Sequence, residues 1–427
     1  MRILRIDDWS GAPGGGQEYV RSVSDELEAR GHENWLLNIT DSPPSLTRPD
    51  ESYAPIPRAP ARRFPTDLLG NRALERELGR LVTTFQPDIV HLHHFGAGFG
   101  TIARVLPSMH VPLVFTAHDA ELVCPVSTLV QPGPTICDGG IRPRCLFTGC
   151  PVGVGGPLSL YRARTFERAV LPHIRAFLCP STLLARYLDS NGFRPAVHLP
   201  SFARIPPAVA GAVYPGPTAS VPPTVGFLGR LEWYKGVDDL IDAIALLARR
   251  IPSVQLEIAG EGSLRAELEA RARRRGIVER TTFRGDLRGE AKEDWFRRIH
   301  LLAVPSSQWE NFGLVALEAH ARGRPVVATN FGGLPDIVVD GQTGWLVPLS
   351  SPGALADAIE KLLADPDTAS RMGAAGRQRV FARFTPELHV DRLLAVYRAV
   401  LAGTPLRSLS EADEVRASGA PAVTVSG

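Results

Sequence analysis

The sequence predicts an α/β protein with two domains, each built on a parallel β-sheet. The chain has 427 residues, which exceeds what one hydrophobic core usually organises. Short apolar runs alternate with segments of helical periodicity, as they do in the strand–helix–strand units of parallel sheets. A stretch rich in Pro, Ala and Gly at 201–223 shows little periodicity and separates two such series, so we expect a linker there.

Composition and charge are those of an ordinary globular protein. Hydrophobic residues make up 44% of the chain, charged residues 22%, and the net charge is +2, so neither nucleic acid nor an acidic partner is expected. Only Lys235, Lys292 and Lys361 are lysines. No apolar run approaches the roughly 18 residues of a membrane span, and the charged start does not resemble a secretion signal. We expect a cytoplasmic protein, with peripheral contact to the inner face of the membrane left open.

The first half of the chain alternates apolar runs, which predict buried strands, with periodic segments, which predict helices. Pro- and Arg-rich sequence at 43–65 predicts an irregular excursion. The arginine-bearing helix after it suits either a solvated face or contact with a membrane surface or lipid acceptor. We expect strands at 3–6, 35–39, 88–94, 111–116, 176–179 and 196–199, and helices at 17–30, 67–85, 159–171 and 182–190.

A glycine-rich loop, with Gly14, Gly15 and Gly16, lies between the first strand and the first helix. Such a turn also occurs in domains that bind nicotinamide dinucleotides. The glycine spacing here differs from G-x-G-x-x-G, and the candidate ribose acid, Asp41, falls beyond the second strand. The loop therefore argues against a dehydrogenase.

His118 follows the run 111–116, where a parallel strand would end. Ligands collect at the carboxyl ends of such strands, which makes His118 a candidate active-site residue. Consecutive strand residues point to opposite faces of a sheet, so the histidines of the preceding strand are not expected to converge on a metal ion. These are His91, His93 and His94.

Four cysteines fall in a segment rich in Gly and Pro, and we treat 120–156 as an insertion in the first domain. Their thiolates could hold a structural zinc ion, pair as disulfides, or stay as thiols. Clustered cysteines in a cytoplasmic protein favour a metal, although no C-x-x-C pair is present. The four are Cys124, Cys137, Cys145 and Cys150.

The second half begins a new series of buried strands. Its first strand leads into a glycine turn with two cations, Gly229, Arg230 and Lys235. A guanidinium can bind a diphosphate through two hydrogen bonds, and an ammonium adds a point charge, so this turn is a candidate diphosphate site. We expect strands at 224–228, 254–259, 282–285, 301–304 and 324–328, and helices at 263–275, 313–322, 354–363, 368–380 and 387–401.

The stretch PSSQWENFGLVALEAHARGRPVVAT at 305–329 predicts a strand end, a loop, a helix and a further strand. Its two carboxylates, Glu310 and Glu318, would lie about 12 Å apart in a continuous helix, at roughly 1.5 Å per residue. They could not share one metal ion, but they suit the two ends of an elongated ligand. The N–H groups that open the helix and could face an anion belong to Phe312, Gly313 and Leu314. The pattern predicts a ligand with a diphosphate in the middle and hydroxyl groups at both ends.

These motifs resemble the signature of the retaining glycosyltransferase family 4, whose members have the GT-B fold. The resemblance covers essentially 1–401, with G-R-x-x-x-x-K-G, G-E-G and E-x7-E in the family's order. Asn311 stands where many members have Gly and His320 where many have Met, and neither change removes a liganding group. The implied fold has two Rossmann-like domains whose parallel sheets face each other across a cleft.

The resemblance also implies roles for individual residues. Arg230 and Lys235 would stabilise the departing diphosphate. Glu310 would contact the donor sugar, Glu318 would hold the ribose, and His118 would reach the sugar when the domains close. The other donor-binding residues implied are Gly14, Gly15, Gly16, Gly229, Gly260, Gly262, Leu287, Asn311, Phe312, Gly313 and Leu314.

The implied reaction moves a sugar from a nucleoside diphosphate donor, UDP- or GDP-linked, to an acceptor hydroxyl with retention of configuration. The acceptor is open, and catalysis needs no cofactor. The implied layout is an acceptor-binding domain at 1–200, a nucleotide-sugar domain at 224–383, a helix at 384–402 that crosses back to the first domain, and a disordered tail at 403–427.

Two alternatives compete with this interpretation. Another GT-B enzyme, such as a nucleotide-sugar epimerase or a phosphorylase, would keep the architecture but need different residues in the cleft. Release of free nucleoside diphosphate on addition of an acceptor separates a transferase from both. A non-catalytic binding protein has no reason to carry the whole set of candidate residues, which comprises His118, Arg230, Lys235, Glu310 and Glu318.

Overall fold

The structure, a computed structural model, describes residues 1–7, 15–40, 50–55, 70–94, 99–124, 127, 129–131, 135–147, 156–211, 214, 217 and 220–406. The chain forms two compact units. Unit 1 comprises Met1–Ser127, Asp138–Pro200 and Pro386–Gly427, and unit 2 comprises Thr128–Cys137 and Ser201–Thr385. Several predicted features lie wholly or partly outside the described residues, namely Gly14, Cys150, the loop at 43–65, the insertion, the linker and the tail.

The described strands are β1 Arg2–Asp7, β2 Glu33–Thr40, β3 Glu51–Pro55, β4 Ile89–Leu92, β5 Leu113–Thr116, β6 Val130–Gln131, β7 Thr135–Ile136, β8 Ile174–Cys179, β9 Ala196–His198, β10 Thr224–Leu228, β11 Gln255–Ala259, β12 Thr281–Gly285, β13 Leu301–Val304, β14 Val326–Thr329 and β15 Gly344–Val347. The described α-helices are α1 Gly15–Ala29, α2 Arg72–Thr84, α3 Phe99–Val105, α4 Gly156–Ala169, α5 Thr182–Ser190, α6 Pro207–Ala210, α7 Val237–Leu247, α8 Arg265–Arg274, α9 Gly289–Arg298, α10 Leu314–Ala321, α11 Leu334–Ile337, α12 Pro352–Ala364, α13 Pro366–Arg383 and α14 Pro386–Ala402.

Unit 1 is built on seven parallel strands in the order β3-β2-β1-β4-β5-β8-β9. The order reverses between β1 and β4, which is the switch point where ligands of such sheets bind. The last helix of the chain, α14, also belongs to this unit, where it packs against α1. Arg30 after α1 holds it, with Nε 3.0 Å from Oδ1 of Asp391.

Unit 2 is built on six parallel strands in the order β12-β11-β10-β13-β14-β15, so its switch point lies between β10 and β13. Helices cover both faces of this sheet. Along β13, Leu301 and Ala303 join a core with α7 and α12, while Leu302 and Val304 join another with α9 and α10. This alternation explains why its strands read as continuous apolar runs.

The predicted fold class is confirmed by two parallel sheets with helices, but one local prediction is wrong. Glu51–Pro55, inside the segment predicted to be irregular, forms the edge strand β3 against β2. The helix predicted at 67–85 begins at Arg72, because the side chain of Asn71 accepts hydrogen bonds from the N–H groups of Ala73 and Leu74. None of the described helices is long and apolar enough to cross a membrane.

Candidate active site

In unit 2 the loops after β10 and β13 lie together, because these strands are neighbours at the switch point. Gly236 makes this close approach possible. Its φ is +65°, and a Cβ there would lie 2.0 Å from the carbonyl oxygen of Pro305, so a side chain would force the loops apart. Ser307 ties the same loops, since its N–H bonds the carbonyl of Tyr234 at 3.1 Å.

This approach pairs two of the predicted site residues, Lys235 and Glu310. Nζ of Lys235 lies 2.6 Å from Oε2 of Glu310, and their side chains are only 21% and 17% exposed. The hydroxyl of Ser306 donates to the same Oε2 at 2.9 Å. Both contacts fall on Oε2, so Oε1 of Glu310 is left to accept from a ligand.

Tyr234, which the sequence did not single out, supports both cations of the turn. The guanidinium of Arg230 and the ammonium of Lys235 each lie 5.6 Å from the centre of its ring. Cations over an aromatic face are attracted by its electron density. Arg230 itself is exposed and makes no ion pair within the part of the chain that the structure describes.

Glu318 lies within α10 and pairs with Lys292 of α9. Glu310 precedes this helix rather than belonging to it, so the 12 Å spacing expected for a continuous helix does not apply. Two of the three lysines therefore pair with the two glutamates of E-x7-E. The scarcity of lysine was the signal that could have identified Lys292 in advance.

Gly313, with φ +97°, precedes the first turn of α10. The N–H groups of Leu314 and Val315 after it have no acceptor among the described residues. The helix start therefore presents free donors at Leu314 and Val315, whereas the sequence predicted them at Phe312, Gly313 and Leu314. Phe312 contributes differently, because its side chain is buried against Phe384 at 5.8 Å between ring centres.

A small cavity of about 170 Å³ adjoins the same turn of unit 2. Gly260 allows its walls to meet, since a Cβ there would lie 1.9 Å from the carbonyl oxygen of Gly229. Gly262 approaches the backbone of Leu231 in the same way. The cavity is lined by Leu228, Gly229, Arg230, Gly260, Glu261, Asp286, Leu287 and Arg288.

In unit 1, His118 follows β5 and contacts two histidines that follow β4. Its Nε2 lies 2.9 Å from Nδ1 of His93, and its ring stacks on His94 with centres 4.7 Å apart. Nδ1 of His94 lies 2.8 Å from Oδ1 of Asp7. The alternation expected of strand residues fails for His93 and His94, because β4 ends at Leu92.

Further polar side chains are buried beneath His118. Nε2 of His91 lies 2.6 Å from the hydroxyl of Thr116, and Nδ1 lies 2.5 Å from that of Tyr397 in α14. The hydroxyl of Tyr19 lies 2.8 Å from Nε2 of His389, also in α14. The sequence could not show this cluster, because Tyr19 and its partner His389 lie 370 residues apart.

Burial keeps four of these histidines neutral at physiological pH, namely His91, His93, His118 and His389. Loss of hydration lowers the pKa of His91 and His118 well below the ordinary value, with Arg5 as the next cause for His91 and His94 as the next cause for His118. Burial likewise lowers the pKa of His93 well below that value and the pKa of His389 to about 4. Unit 1 therefore presents neutral histidines beside its switch point.

The remaining predicted site residues are placed only in part. Gly15 and Gly16 open α1, and Gly14 lies outside the described residues. No group of three or more His, Cys, Asp or Glu side chains in the described ranges could hold a metal ion, and that includes Cys124, Cys137 and Cys145. With Cys150 outside those ranges, the choice between disulfides and thiols stays a prediction.

Two Rossmann-type sheets in one chain, the second with cations and carboxylates at its switch point, define the GT-B class of glycosyltransferases. Solved structures share this fold. Sucrose-phosphate synthase from Thermosynechococcus elongatus has a TM-score of 0.70 at 22% identity, covering 95% of this chain and all of that one. Anabaena HepE in complex with UDP has a TM-score of 0.68 at 18% identity, covering 93% of this chain and all of that one.

Sequence comparisons give the family. Residues 13–201 match the model of "Glycosyltransferase Family 4", and residues 217–379 match that of "Glycosyl transferases group 1". A D-inositol 3-phosphate glycosyltransferase from Segniliparus rotundus is 30% identical over 440 residues, which cover 95% of this chain and 90% of that protein. The chain belongs to glycosyltransferase family 4, which confirms the resemblance noted in the sequence.

Another relative matches only in part. The glycogen synthase of Mycobacterium tuberculosis is 38% identical over 177 residues, which cover 42% of this chain and 42% of that protein. The similarity therefore spans less than half the length of that relative. These comparisons show a glycosyltransferase and leave its substrates to be proposed.

Proposed function

We propose that the chain transfers a sugar from a nucleoside diphosphate sugar to an acceptor hydroxyl with retention of anomeric configuration. The Lys235–Glu310 pair carries this proposal. It sets an ammonium, which suits the departing diphosphate, directly beside a carboxylate that suits the hydroxyls of the sugar. A ligand that presents both groups on neighbouring atoms is a sugar diphosphate.

The chemistry follows from the charges that a sugar–phosphate bond develops as it breaks. Negative charge builds on the departing diphosphate, and preorganised donors that meet it lower the barrier. Arg230 and Lys235 provide two cations, and the free N–H groups at the start of α10 provide further donors. Oε1 of Glu310 accepts from a sugar hydroxyl and so orients the ring.

We assign the nucleoside to the same unit. Glu318 accepts from the ribose hydroxyls, and the cavity beside Leu287 holds the base. Anabaena HepE, a fold relative, is described in complex with UDP, so UDP-sugars are the first donors to assay and GDP-sugars the second. His118 is the residue of unit 1 that we assign to the reaction.

The assay is release of nucleoside diphosphate on addition of acceptor. The relatives named D-inositol 3-phosphate glycosyltransferase make that compound the first acceptor to test. A nucleotide-sugar epimerase would release no nucleoside diphosphate, and a binding protein would show donor-dependent thermal stabilisation alone. The proton coupling at the anomeric carbon of the product reads retention or inversion directly.

The decisive variants are Lys235→Ala and Glu310→Ala. Each removes a contact to charge or to the reacting sugar, so we expect the transfer rate to fall by at least ~10²-fold. Lys361→Ala is the matched control, because this third lysine lies over the ring of Trp345 in the same unit, 5.0 Å from its centre. Near-wild-type turnover in either site variant would refute the role of that residue.

A further inference from the structure

Arg5 and His93 are buried in unit 1 and form a hydrogen-bonded row that ends at the half-buried His118. Arg5 is fully buried, and no carboxylate pairs with it in the described ranges. Its Nε lies 3.3 Å from Nε2 of His93, whose Nδ1 lies 2.9 Å from Nε2 of His118. The other guanidinium nitrogens bond the hydroxyl of Ser24 at 3.2 Å and the carbonyl of Val20 at 2.5 Å.

The chemistry of Arg5 fixes where the protons of this row lie. A guanidinium is always protonated and only donates, so Nε2 of His93 accepts and carries no proton. Burial, and next the neighbouring His91 and Arg5, lower the pKa of His93 well below its ordinary value. A neutral imidazole has one ring proton, which therefore sits on Nδ1 of His93 and is donated to Nε2 of His118.

We propose that Arg5 and His93 are positioning residues that hold His118 as a neutral imidazole with its proton on Nδ1. Nε2 of His118 is occupied as an acceptor, so the ring keeps no basic nitrogen for the reaction. His118 then donates a hydrogen bond from Nδ1 to an oxygen of the bound sugar nucleotide and does not remove a proton from the acceptor. The role toward the ligand rests on the proposed function, whereas the tautomer does not.

The other titratable groups around His118 leave this assignment intact. His94 meets the ring by its face and directs Nδ1 to Asp7. Tyr19 meets the ring edge-on, with centres 5.2 Å apart, and its hydroxyl bonds Nε2 of His389. His93 is the one hydrogen-bond partner of the His118 ring among the residues that the structure describes.

The tautomer can be read from nitrogen NMR of the full chain labelled with ¹⁵N in its histidine rings. Long-range proton–nitrogen correlations distinguish protonated from unprotonated ring nitrogens, and His118→Ala identifies the signals of His118. We expect a protonated Nδ1 and an unprotonated Nε2 from about pH 8 down to about pH 6, where a free histidine titrates. A proton on Nε2 in the wild type would overturn the proposal.

Two substitutions of His93 test the relay itself. His93→Phe keeps an aromatic ring but removes the donor, so the proton of His118 should move toward Nε2 and the ring should titrate nearer its ordinary pKa. His93→Asn places an amide N–H near the position of Nδ1, so His118 should keep its tautomer. An unchanged His118 spectrum in folded His93→Phe would contradict the role of His93, and the wild-type spectrum decides if that variant does not fold.

Transfer kinetics test the donor role separately. His118→Asn offers an amide N–H where Nδ1–H lies, so it should retain about tenfold or more activity over His118→Ala. If His118 were a general base, both variants would lose on the order of 10²-fold or more alike. A wild-type chain inactive with every donor would refute the proposed function and leave the NMR result standing.

Discussion

Arg5 of unit 1 and Arg322 of unit 2 are both fully buried, yet their surroundings differ. Arg322 faces Glu293, with its Nε 2.7 Å from Oε2 and a second contact from its other nitrogen. Among the described residues, Arg5 bonds only neutral acceptors, namely a histidine, a hydroxyl and a carbonyl. Burial lowers the pKa of Arg5. Burial is also the largest single influence on Arg322, but the hydrogen bond and the charge of Glu293 together exceed it and raise the pKa of Arg322.

The candidate sites of the two units also differ in whether their cations are paired with carboxylates. Unit 2 balances cations with carboxylates, as in Lys235 with Glu310 and Lys292 with Glu318, and a charged ligand can exchange partners with such pairs. Unit 1 surrounds a permanent cation with histidines that burial keeps neutral. The site in unit 2 therefore depends on ion pairs, and the site in unit 1 depends on where single protons lie.

Acid should separate the two units most strongly. His91, His93 and His389 are fully buried in unit 1, while His320 alone is fully buried among the histidines of unit 2. The native pKa of each is lowered by burial. Below the unfolded value of about 6.5 the unfolded chain takes up protons that the native state refuses, so stability falls as pH drops.

The expected loss is up to about 1.4 kcal/mol per pH unit for each such histidine. Asp239 of unit 2 acts in the opposite direction, because burial and then Asp238 and Asp242 raise its pKa to about 6. Pulse proteolysis in urea, with fragments assigned by mass spectrometry, should show the midpoint of unit 1 falling well ahead of that of unit 2 between about pH 7 and pH 5. Equal shifts of the urea midpoint in both units would contradict this expected difference between them.

Breaking the buried ion pair should affect unit 2 next most strongly. Arg322→Met leaves Glu293 buried with the hydroxyl of Tyr214, which donates at 2.9 Å, but without its cation. We expect a cost of about 3 kcal/mol, read from the urea midpoint of unit 2. Arg250→Met is the control, since its ion pairs with Asp357 and Glu360 are exposed and should be worth less than about 1 kcal/mol.

The double variant Arg322→Met with Glu293→Leu sharpens this result. It removes both charges together, so it should recover much of the loss. A double variant as unstable as Arg322→Met would show that packing, and not the unpaired carboxylate, sets the cost.

The last comparison is between Gly236→Ala and Gly276→Ala. Gly236 and Gly276 have nearly equal φ values of +65° and +71°, but only Gly236 has a carbonyl in the path of a Cβ, whereas the space at Gly276 is open. Gly276→Ala should cost roughly 1–2 kcal/mol for the left-handed backbone alone. Gly236→Ala should also displace the loop with Glu310, and a shift near 1 Å can reduce transfer by about 10²-fold. Equal transfer rates in the two variants would show that the close approach is dispensable.

The sequence predicted the parts of this molecule that depend on local pattern. The unit of β13, α10 and β14 could be predicted from the sequence, because its strands are apolar on both faces and Gly313 precedes its helix. β3 was not predicted, because Glu51–Pro55 has no apolar run. An edge strand is defined by the neighbouring strand with which it forms hydrogen bonds. The scarcity of lysine could have singled out Lys292, but its pairing with Glu318 could not be predicted, since the contact between α9 and α10 leaves no mark on either helix alone.

The histidine cluster shows the limit most clearly. His118 could be chosen from its place after a strand, but its protonation depends on Arg5, which in the sequence is one arginine within an apolar strand. His389 and Tyr397 join the cluster from the opposite end of the chain. Contacts of such separation follow from topology and have no local signature.

The place of α14 in unit 1 has a consequence for biosynthesis. Unit 2 draws nearly all of its residues from 201–385, so it can fold as soon as that stretch leaves the ribosome. Unit 1 starts first but waits for α14, and synthesis of the intervening stretch takes roughly 10–40 s at about 5–20 residues per second. During that interval His91 and Tyr19 lack their hydrogen-bond partners, which are Tyr397 and His389. The nascent amino-terminal half is therefore the part of this chain most exposed to chaperones and proteases, although it is translated first.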